Sequence, residues 1–253
     1  MSTKVPDWPN GYGRIVLAET DSTLDEAQRR FADLSGPAWI MAENQTAARG
    51  RRGRPWSMPK GNFAATLVIP DNANTTQSAL RSFVAALALY DAFVAITGRP
   101  AAFTLKWPND VLLNGGKVAG ILLEGIHHGQ SFAGIAIGFG VNLAAAPDVS
   151  EVEERALRPV SLTGEFAMVV IPLEFLDQLA ISYAKFEEQH ATHGFAPIRT
   201  AWLARASRIG ETITARLPNE EITGVFETID EAGYLVMQTP KGRRSLAAAD
   251  VFF

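Results

Sequence analysis

Cysteine is absent from the 253 residues. That absence excludes a disulfide framework, a thiolate-bound metal and a thiol nucleophile. Histidine is scarce, with four in the chain. His127-His128 falls in a predicted turn and His190 and His193 near a predicted helix end, with no carboxylate cluster beside them, so no histidine-ligated metal is expected. Long apolar runs are missing as well. The longest, Phe83 to Ile96, is broken by Asp91 and reads as too short for a bilayer, and Met1 to Gly13 lacks the basic-then-apolar order of a secretory signal. The expectation is a cytoplasmic protein with no membrane partner. Neither sign of charge is in large excess: the formal net charge of -4 offers no overall attraction to nucleic acid or anionic lipid.

What is present suits a globular fold. Hydrophobic residues make up 47% and charged residues 20%, enough apolar surface for a sizeable core. The length points to one main domain with a small appendage. Asp21-Ser22-Thr23 precedes a predicted helix from Leu24 to Leu34, with Ser22 or Thr23 as cap and Asp25 and Glu26 in the first turn. Strands are predicted at Trp39 to Ala42 and Phe63 to Ile69, joined by a long loop rich in glycine and arginine. Apolar spacing predicts a helix from Thr76 to Thr97. Strands at Phe103 to Lys106, Val111 to Leu113, Val118 to Glu124 and Ser131 to Val141 follow, with Asn114-Gly115-Gly116 as a hairpin turn. Pro172 opens a helix running to about His190, and Ala196 to Ala206 is a third. From Gly210 the pattern turns to short alternating runs, Thr212 to Leu217, Glu221 to Ile229, Tyr234 to Gln238 and Arg244 to Val251, which reads as a small β-barrel beginning near Arg208.

Against the acidic whole, one segment is strongly basic: Arg49-Gly50-Arg51-Arg52-Gly53-Arg54-Pro55-Trp56. Glycines let a backbone approach a ligand and adopt positive φ, and guanidinium groups are forked donors for carboxylate and phosphate oxygens. On its own the loop is equally compatible with an RNA-binding tail or a solvated connection. A second segment runs Lys106-Trp107-Pro108-Asn109-Asp110 and continues through Lys117 to Gly120. Alone it reads as a strand, a turn and a chance lysine. Together the two supply cations and a carboxylate at strand ends, the parts needed to bring a carboxylate up to a nucleotide triphosphate. A third, Gly138-Phe139-Gly140-Val141-Asn142, permits close sheet packing or a base contact through Asn142.

In order and spacing, Asp21-Ser22-Thr23, Gln45 to Trp56, Lys106 to Asp110, Lys117 to Gly120 and Gly138 to Asn142 resemble the bacterial biotin–protein ligases. The C-terminal run is similar to that family's SH3-like domain. The resemblance implies an α+β fold, a mixed β-sheet backed by helices of the class II synthetase and biotin ligase kind, with a C-terminal SH3-like small β-barrel. It divides the chain into a catalytic domain, 1–207, that binds biotin and ATP, and a barrel, 208–253. The implied activity forms biotinyl-5'-AMP and then transfers biotin to a lysine of a biotin carrier protein, that of acetyl-CoA carboxylase being the natural acceptor, with magnesium expected on the phosphates.

By the same resemblance, Ser22, Thr23, Gln45 and the backbone of Arg49, Gly50 and Arg51 meet the biotin ureido group and rings, and Trp56 walls the apolar side. Arg51 and Lys117 hold the carboxylate and adenylate, Arg54 and Lys106 meet the departing pyrophosphate, and Asn109 and Asn142 contact adenine. Asp110 steers or deprotonates the acceptor lysine. Gly120 completes the pocket. Two positions depart from the family: Ala48 stands where glycine is common, and Leu24 where asparagine is. Other readings stay open, namely a lipoate or octanoate transferase, a biotin-responsive repressor and a non-catalytic binder. Against the repressor, the stretch before the first strand is too short for a helix-turn-helix, so no operator DNA is expected. A homodimer through exposed sheet edges is compatible with the sequence.

Overall fold

The computed structural model describes residues 7–71, 75–148, 150, 152–153 and 155–253. Seven strands, β1 (Gly13–Thr20), β2 (Ala38–Gln45), β3 (Phe63–Pro70), β4 (Phe103–Lys106), β5 (Asp110–Leu113), β6 (Gly116–His128) and β7 (Ser131–Val141), lie in the order β1-β2-β3-β7-β6-β5-β4. Strands β1 and β2 run parallel, and the helix α1 (Thr23–Arg30) sits in their connection, as a parallel crossover requires. The other neighbours are antiparallel, so the sheet is mixed as expected.

Helices α2 (Thr75–Ala79), α3 (Arg81–Thr97), α4 (Leu162–Phe166), α5 (Pro172–His193) and α6 (Phe195–Leu203) complete the larger unit. Alternation along β7 shows how the faces divide. Ile135, Ile137, Phe139 and Val141 enter the main core beneath α3 and α5, while Ala136 belongs to a smaller cluster with Leu24 and Ala27 of α1. Aromatic contacts tie the helical side together. Phe93 of α3 stacks on Phe103 at 4.8 Å and meets Phe175 of α5 at 5.2 Å, and Trp39 of β2 meets Tyr183 edge-on at 5.9 Å.

Several boundaries differ from expectation for local reasons. The first helix is α-helical only to Arg30, with a tighter 3₁₀ turn over Phe31–Asp33. The predicted helix from Thr76 to Thr97 is interrupted at Leu80, and it stops at Gly98, whose φ of 68° closes the last turn onto Val94 O. Helix α6 ends at Leu203 because the following residues join the sheet: Leu105 N donates to Arg205 O at 2.9 Å and Ser207 N to Leu105 O at 2.7 Å. The short helix α4, capped by Ser161, is an addition to the predicted elements. By length and composition Gln77–Thr97 is apolar enough to cross a bilayer, contrary to the shorter run read from sequence. Phe83, Val84, Leu87 and Phe93 are instead buried in the core, and a core helix passes the same test.

The C-terminal unit has β8 (Thr212–Arg216), β9 (Glu221–Ile229), β10 (Leu235–Thr239), β11 (Gly242–Leu246) and β12 (Asp250–Phe252), antiparallel in the order β11-β10-β9-β8-β12. It is the SH3-like element, with one correction. The run Arg244 to Val251 is not one strand: β11 pairs with β10, and β12 crosses to β8 at the other edge. Hydrophobic alternation carries no information on which edge a strand joins. Trp107 Nε1 donates to Gly233 O at 3.0 Å, fastening this unit to the β4–β5 turn, which contains a cis Trp107–Pro108 bond. Phe175, fully buried between Phe63 and Phe93, is a keystone of the helical side. Phe175→Ala is expected to cost roughly 3–5 kcal/mol in urea-induced unfolding followed by tryptophan fluorescence.

Candidate active site

Sheet register alone assembles the centre of the site. Lys106 of β4 faces Asp110 of β5, Asp110 faces Gly120 of β6, Gly120 faces Gly140 of β7, and Gly140 faces Ala64 of β3. Paired residues share a face, so charge at one end of this row gives way to a glycine floor and then to alanine. The Asn114-Gly115 turn, with φ of 49° and 81°, is a two-residue reversal that lets β6 return beside β5. It carries Lys117 back toward Asp110, Nζ to Oδ1 2.7 Å.

The glycine floor has a direct reason. A Cβ on Gly140 would stand 2.6 Å from Trp56 Cε2, one on Gly120 3.4 Å from Trp56 Cζ3, and one on Gly138 3.1 Å from Leu24. Trp56 therefore lies flat on the sheet, with Lys117 Nζ 5.5 Å from its ring centre. These glycines occupy the face of β7 opposite its core residues, so they serve the cavity and not the helical packing. The cavity has a volume of about 670 Å³ and is lined by every residue singled out from the sequence, from Ser22, Thr23, Leu24 and Gln45 through the arginine loop to Asn142.

At one end the lining is a polar chain. Thr66 Oγ1 donates to Thr23 Oγ1 at 2.9 Å, Thr23 Oγ1 donates to Gln45 Oε1 at 3.1 Å, and Thr23 N donates to the same oxygen at 2.7 Å. Ser22 caps α1 through Leu24 N at 3.2 Å. Thr66, fully buried in an otherwise apolar strand, is absent from the sequence-derived candidates; a lone polar residue at a core position is the signal that marks it. Leu24 is 5% exposed and packs into the smaller apolar cluster, so hydrocarbon replaces a polar group there.

At the other end charge is concentrated. Asp110 is enclosed by Lys117 and by Lys106, Nζ 3.8 Å from Oδ2. Burial pushes the Asp110 carboxyl upward, but Lys117, Lys106 and Arg51 together hold it below the usual aspartate range. Burial holds the Lys106 ammonium below its ordinary value despite Asp110, with Lys117 and Arg51 adding repulsion. Lys117 Nζ stands 2.7 Å from the buried Oδ1 as an ion pair. Asn109 donates its amide to Ile121 O, and Ile121 N donates to Asn109 O at 2.9 Å. Asn142 is less available than expected: it is buried, its Nδ2 donates to Val160 O at 3.1 Å and its Oδ1 faces Asn62.

The basic loop is a small hairpin bridged at Arg49 and Pro55. Arg49 pairs with Asp25 at 2.6 Å and Glu124 at 3.0 Å, so its guanidinium is already engaged by two carboxylates. Gly53 and Arg52 take left-handed conformations, but Gly50 does not, with φ of -103°, and Ala48 is not among the positive-φ residues. Alanine at 48 is therefore unstrained. Arg51 and Arg54 reach the C-terminal unit at Asp250, which sequence reasoning does not find because it lies far along the chain. Pro147, Glu153, Arg155, Leu157 and Pro159, unassigned from sequence, close one wall.

Magnesium has no fitting protein site here. Asp110 and Asp250 are already engaged by lysines and arginines, and among the described residues no group of three His, Asp or Glu side chains is placed to hold a metal.

A β1–α1–β2 crossover, a cationic loop and a charged strand-end cluster around one cavity define an acyl-activating ligase class of site. The chain belongs to the biotin/lipoate A/B protein ligase family, whose model matches residues 14–142, and the biotin protein ligase C-terminal domain matches residues 209–253. It is 54% identical to a biotin–[acetyl-CoA-carboxylase] ligase of Paracoccus denitrificans over 238 residues, covering 94% of this chain and 99% of that one. It is 28% identical to the bifunctional ligase/repressor BirA of Escherichia coli, covering 90% and 70% respectively. In fold it resembles the biotin protein ligase of Aquifex aeolicus solved with biotin and ATP, with a TM-score of 0.81, 24% identity and coverage of 94% and 97%.

The charged cluster has a pH signature. Asp110, held below its usual range, stabilises the fold above that range, and the contribution fades as pH falls through its lowered folded value. Lys106, also lowered, acts as a cost: its buried charge destabilises the fold fully below its lowered folded value, and the cost is relieved as pH rises from that value to the ordinary lysine range. Asp110→Asn leaves Lys106 without its counter-charge and is expected to cost roughly 3–5 kcal/mol at neutral pH. Urea unfolding should show that loss shrinking in alkaline buffer, as pH rises past the lowered folded value of Lys106 and the ammonium sheds its proton.

Proposed function

We propose that this chain is an ATP-dependent biotin–protein ligase that forms biotinyl-5'-AMP and passes the biotinyl group to a lysine of a biotin carrier protein, that of acetyl-CoA carboxylase. The observation that carries this reading is the row Lys106–Asp110–Gly120–Gly140. One cavity offers cations at one end and an apolar wall above a glycine floor at the other.

Biotin has matching parts. Its ureido group needs both donors and acceptors, which Ser22, Thr23 and Gln45 supply; leaving it unpaired would cost about 1–3 kcal/mol. Its ring system lies against Trp56, and the backbone at Arg49–Arg51 closes over it. The valerate carboxylate extends toward Lys117 and Arg51. In the first step a carboxylate oxygen attacks the α-phosphorus of ATP, the bond to the β-phosphate oxygen breaks, and pyrophosphate leaves toward Arg54 and Lys106. Cations reduce the repulsion between the two anions as they meet. Asn109 shapes the adenine end directly, and Asn142 does so by holding Val160.

In the second step the acceptor amine attacks the acyl carbon, AMP departs and the ammonium proton is released. Asp110, held below the usual aspartate range, is a weak base. Its role is to orient the incoming amine and stabilise its charge. We assign the catalytic unit to residues 1–207 and the SH3-like unit to 208–253. Arg208, with φ of 67°, follows Ser207, the last residue bonded to β4. A cytoplasmic setting accompanies a reaction that consumes ATP.

The test is label transfer from radiolabelled biotin or lipoate, with ATP, to each apo carrier domain. Label on the biotin carrier is expected; label on a lipoyl domain alone sinks the proposal. Lys117→Ala should slow adenylation by roughly a hundredfold. Arg51→Gly should speed escape of the adenylate by about tenfold or more while biotin capture changes little. Normal kinetics in both variants would remove these two roles.

A further inference from the structure

Three guanidinium groups of the basic loop converge on one carboxylate of the C-terminal sheet. Asp250 Oδ2 lies 2.6 Å from Arg52 Nη1 and 3.2 Å from Arg54 Nη2, and Oδ1 lies 3.5 Å from Arg51 Nη2. Arg51 Nη2 also donates to the neighbouring Ala249 O at 3.1 Å. Asp250 is 8% exposed and is held from behind by β12, which pairs only with β8 and sets Asp250 opposite Arg216. A carboxylate so enclosed is a fixed post and not a mobile surface charge.

The count of charges matters. One carboxylate faces three guanidinium groups, and Glu153, 2.8 Å from Arg54, adds a second negative charge. The cluster stays cationic. Asp250 therefore holds the arginines together without consuming their capacity for an anion. The loop needs such a post: Arg52 and Gly53 take left-handed conformations, and three like charges lie within four residues, so repulsion would spread it. Donors fixed in place before the ligand arrives lose less freedom on binding and are worth more to charge that develops in the reaction.

We propose that Asp250 is a positioning residue for the nucleotide half of the site, by which the C-terminal unit holds Arg51, Arg52 and Arg54 in the geometry that receives and retains the adenylate. This rests on the biotin-adenylating reading above. It separates the two halves of the cavity, because Ser22, Thr23, Gln45 and Trp56 have their own supports in α1, β3 and the glycine floor. Loss of Asp250 should then weaken nucleotide functions more than biotin capture. A carboxylate that merely competed with phosphate would behave in the opposite sense, and its removal would tighten ATP binding.

Asp250→Asn and Asp250→Glu, in the full chain, are compared with wild type in three measurements. Asp250→Asn is expected to raise KM for ATP and the dissociation rate of biotinyl-5'-AMP by about tenfold or more, the loss of a charge-assisted contact set. Biotin affinity measured without ATP should fall severalfold less than adenylate retention, because of this loop only the backbone at Arg49–Arg51 meets biotin. Brief trypsin treatment without ligand should cleave Asp250→Asn after Arg51 and Arg52 at least about tenfold faster than wild type, since cleavage follows local opening. Asp250→Glu should restore most of the adenylate retention. The proposal is overturned if Asp250→Asn leaves adenylate dissociation and trypsin cleavage unchanged, or tightens ATP. Should Asp250→Asn fail to fold, Arg52→Gln decides: unchanged adenylate dissociation in that variant overturns it. Failure of wild type to form biotinyl-5'-AMP would remove the parent reading instead, and the trypsin comparison stands apart from activity.

Discussion

Asp110 keeps a negative charge inside the protein because Lys117, Lys106 and Arg51 surround it, and each of those cations keeps its place partly because Asp110 is there. Desolvation opposes the charge on Asp110, Lys106 and Arg51, so the group is stable as a set and costly to break singly. Much of the architecture serves to bring the set together. Lys106 ends β4, Asp110 begins β5, Lys117 follows the tight Asn114-Gly115 turn, and Arg51 arrives on a loop from the other side of the sheet. The Lys106-Trp107-Pro108-Asn109-Asp110 segment also anchors the smaller sheet, since Trp107 is buried and bonded to Gly233 O. The charged site and the contact between the two units thus share one turn.

The sheet's two faces carry different tasks. On the helical face β7 presents Ile135, Ile137, Phe139 and Val141 to a core dense in aromatic contacts, and on the other it presents Gly138 and Gly140 to Leu24 and Trp56. A strand that is apolar on one face and bare on the other is a packing defect unless something lies on the bare face. Trp56 does so, and the remaining space is the cavity. The rigid helical face keeps the floor flat, and the floor decides how close a ring system can approach the sheet.

A large part of this organisation is legible in the order of residues. Periodicity marks β2, β3, β7, α3 and α5 to within a few residues, the Asn-Gly dipeptide marks its turn, and all the residues singled out as site candidates line one cavity. Local signals account for that, since backbone conformation and face alternation follow from neighbours a few positions away. The departures are of a different kind. The final alternating run splits into β11 and β12 at opposite edges, α6 gives way early because Arg205 and Ser207 bond Leu105, and Arg49 turns to Asp25 and Glu124. Each depends on a partner distant in sequence.

The residue types that carry the chemistry, and the strands and loops on which they ride, are therefore written in the chain, because motif composition and period are local properties. The company those residues keep is settled only in three dimensions. Register across four strands aligns Lys106, Asp110, Gly120 and Gly140, and edge pairing of three residues near the end of the chain delivers Asp250 to the arginines of a loop 196 to 198 positions away. The physical reason is that hydrogen-bonded pairing between strands and the neutralisation of buried charge are satisfied only between segments that meet in space, and no local pattern names the segment that will be met.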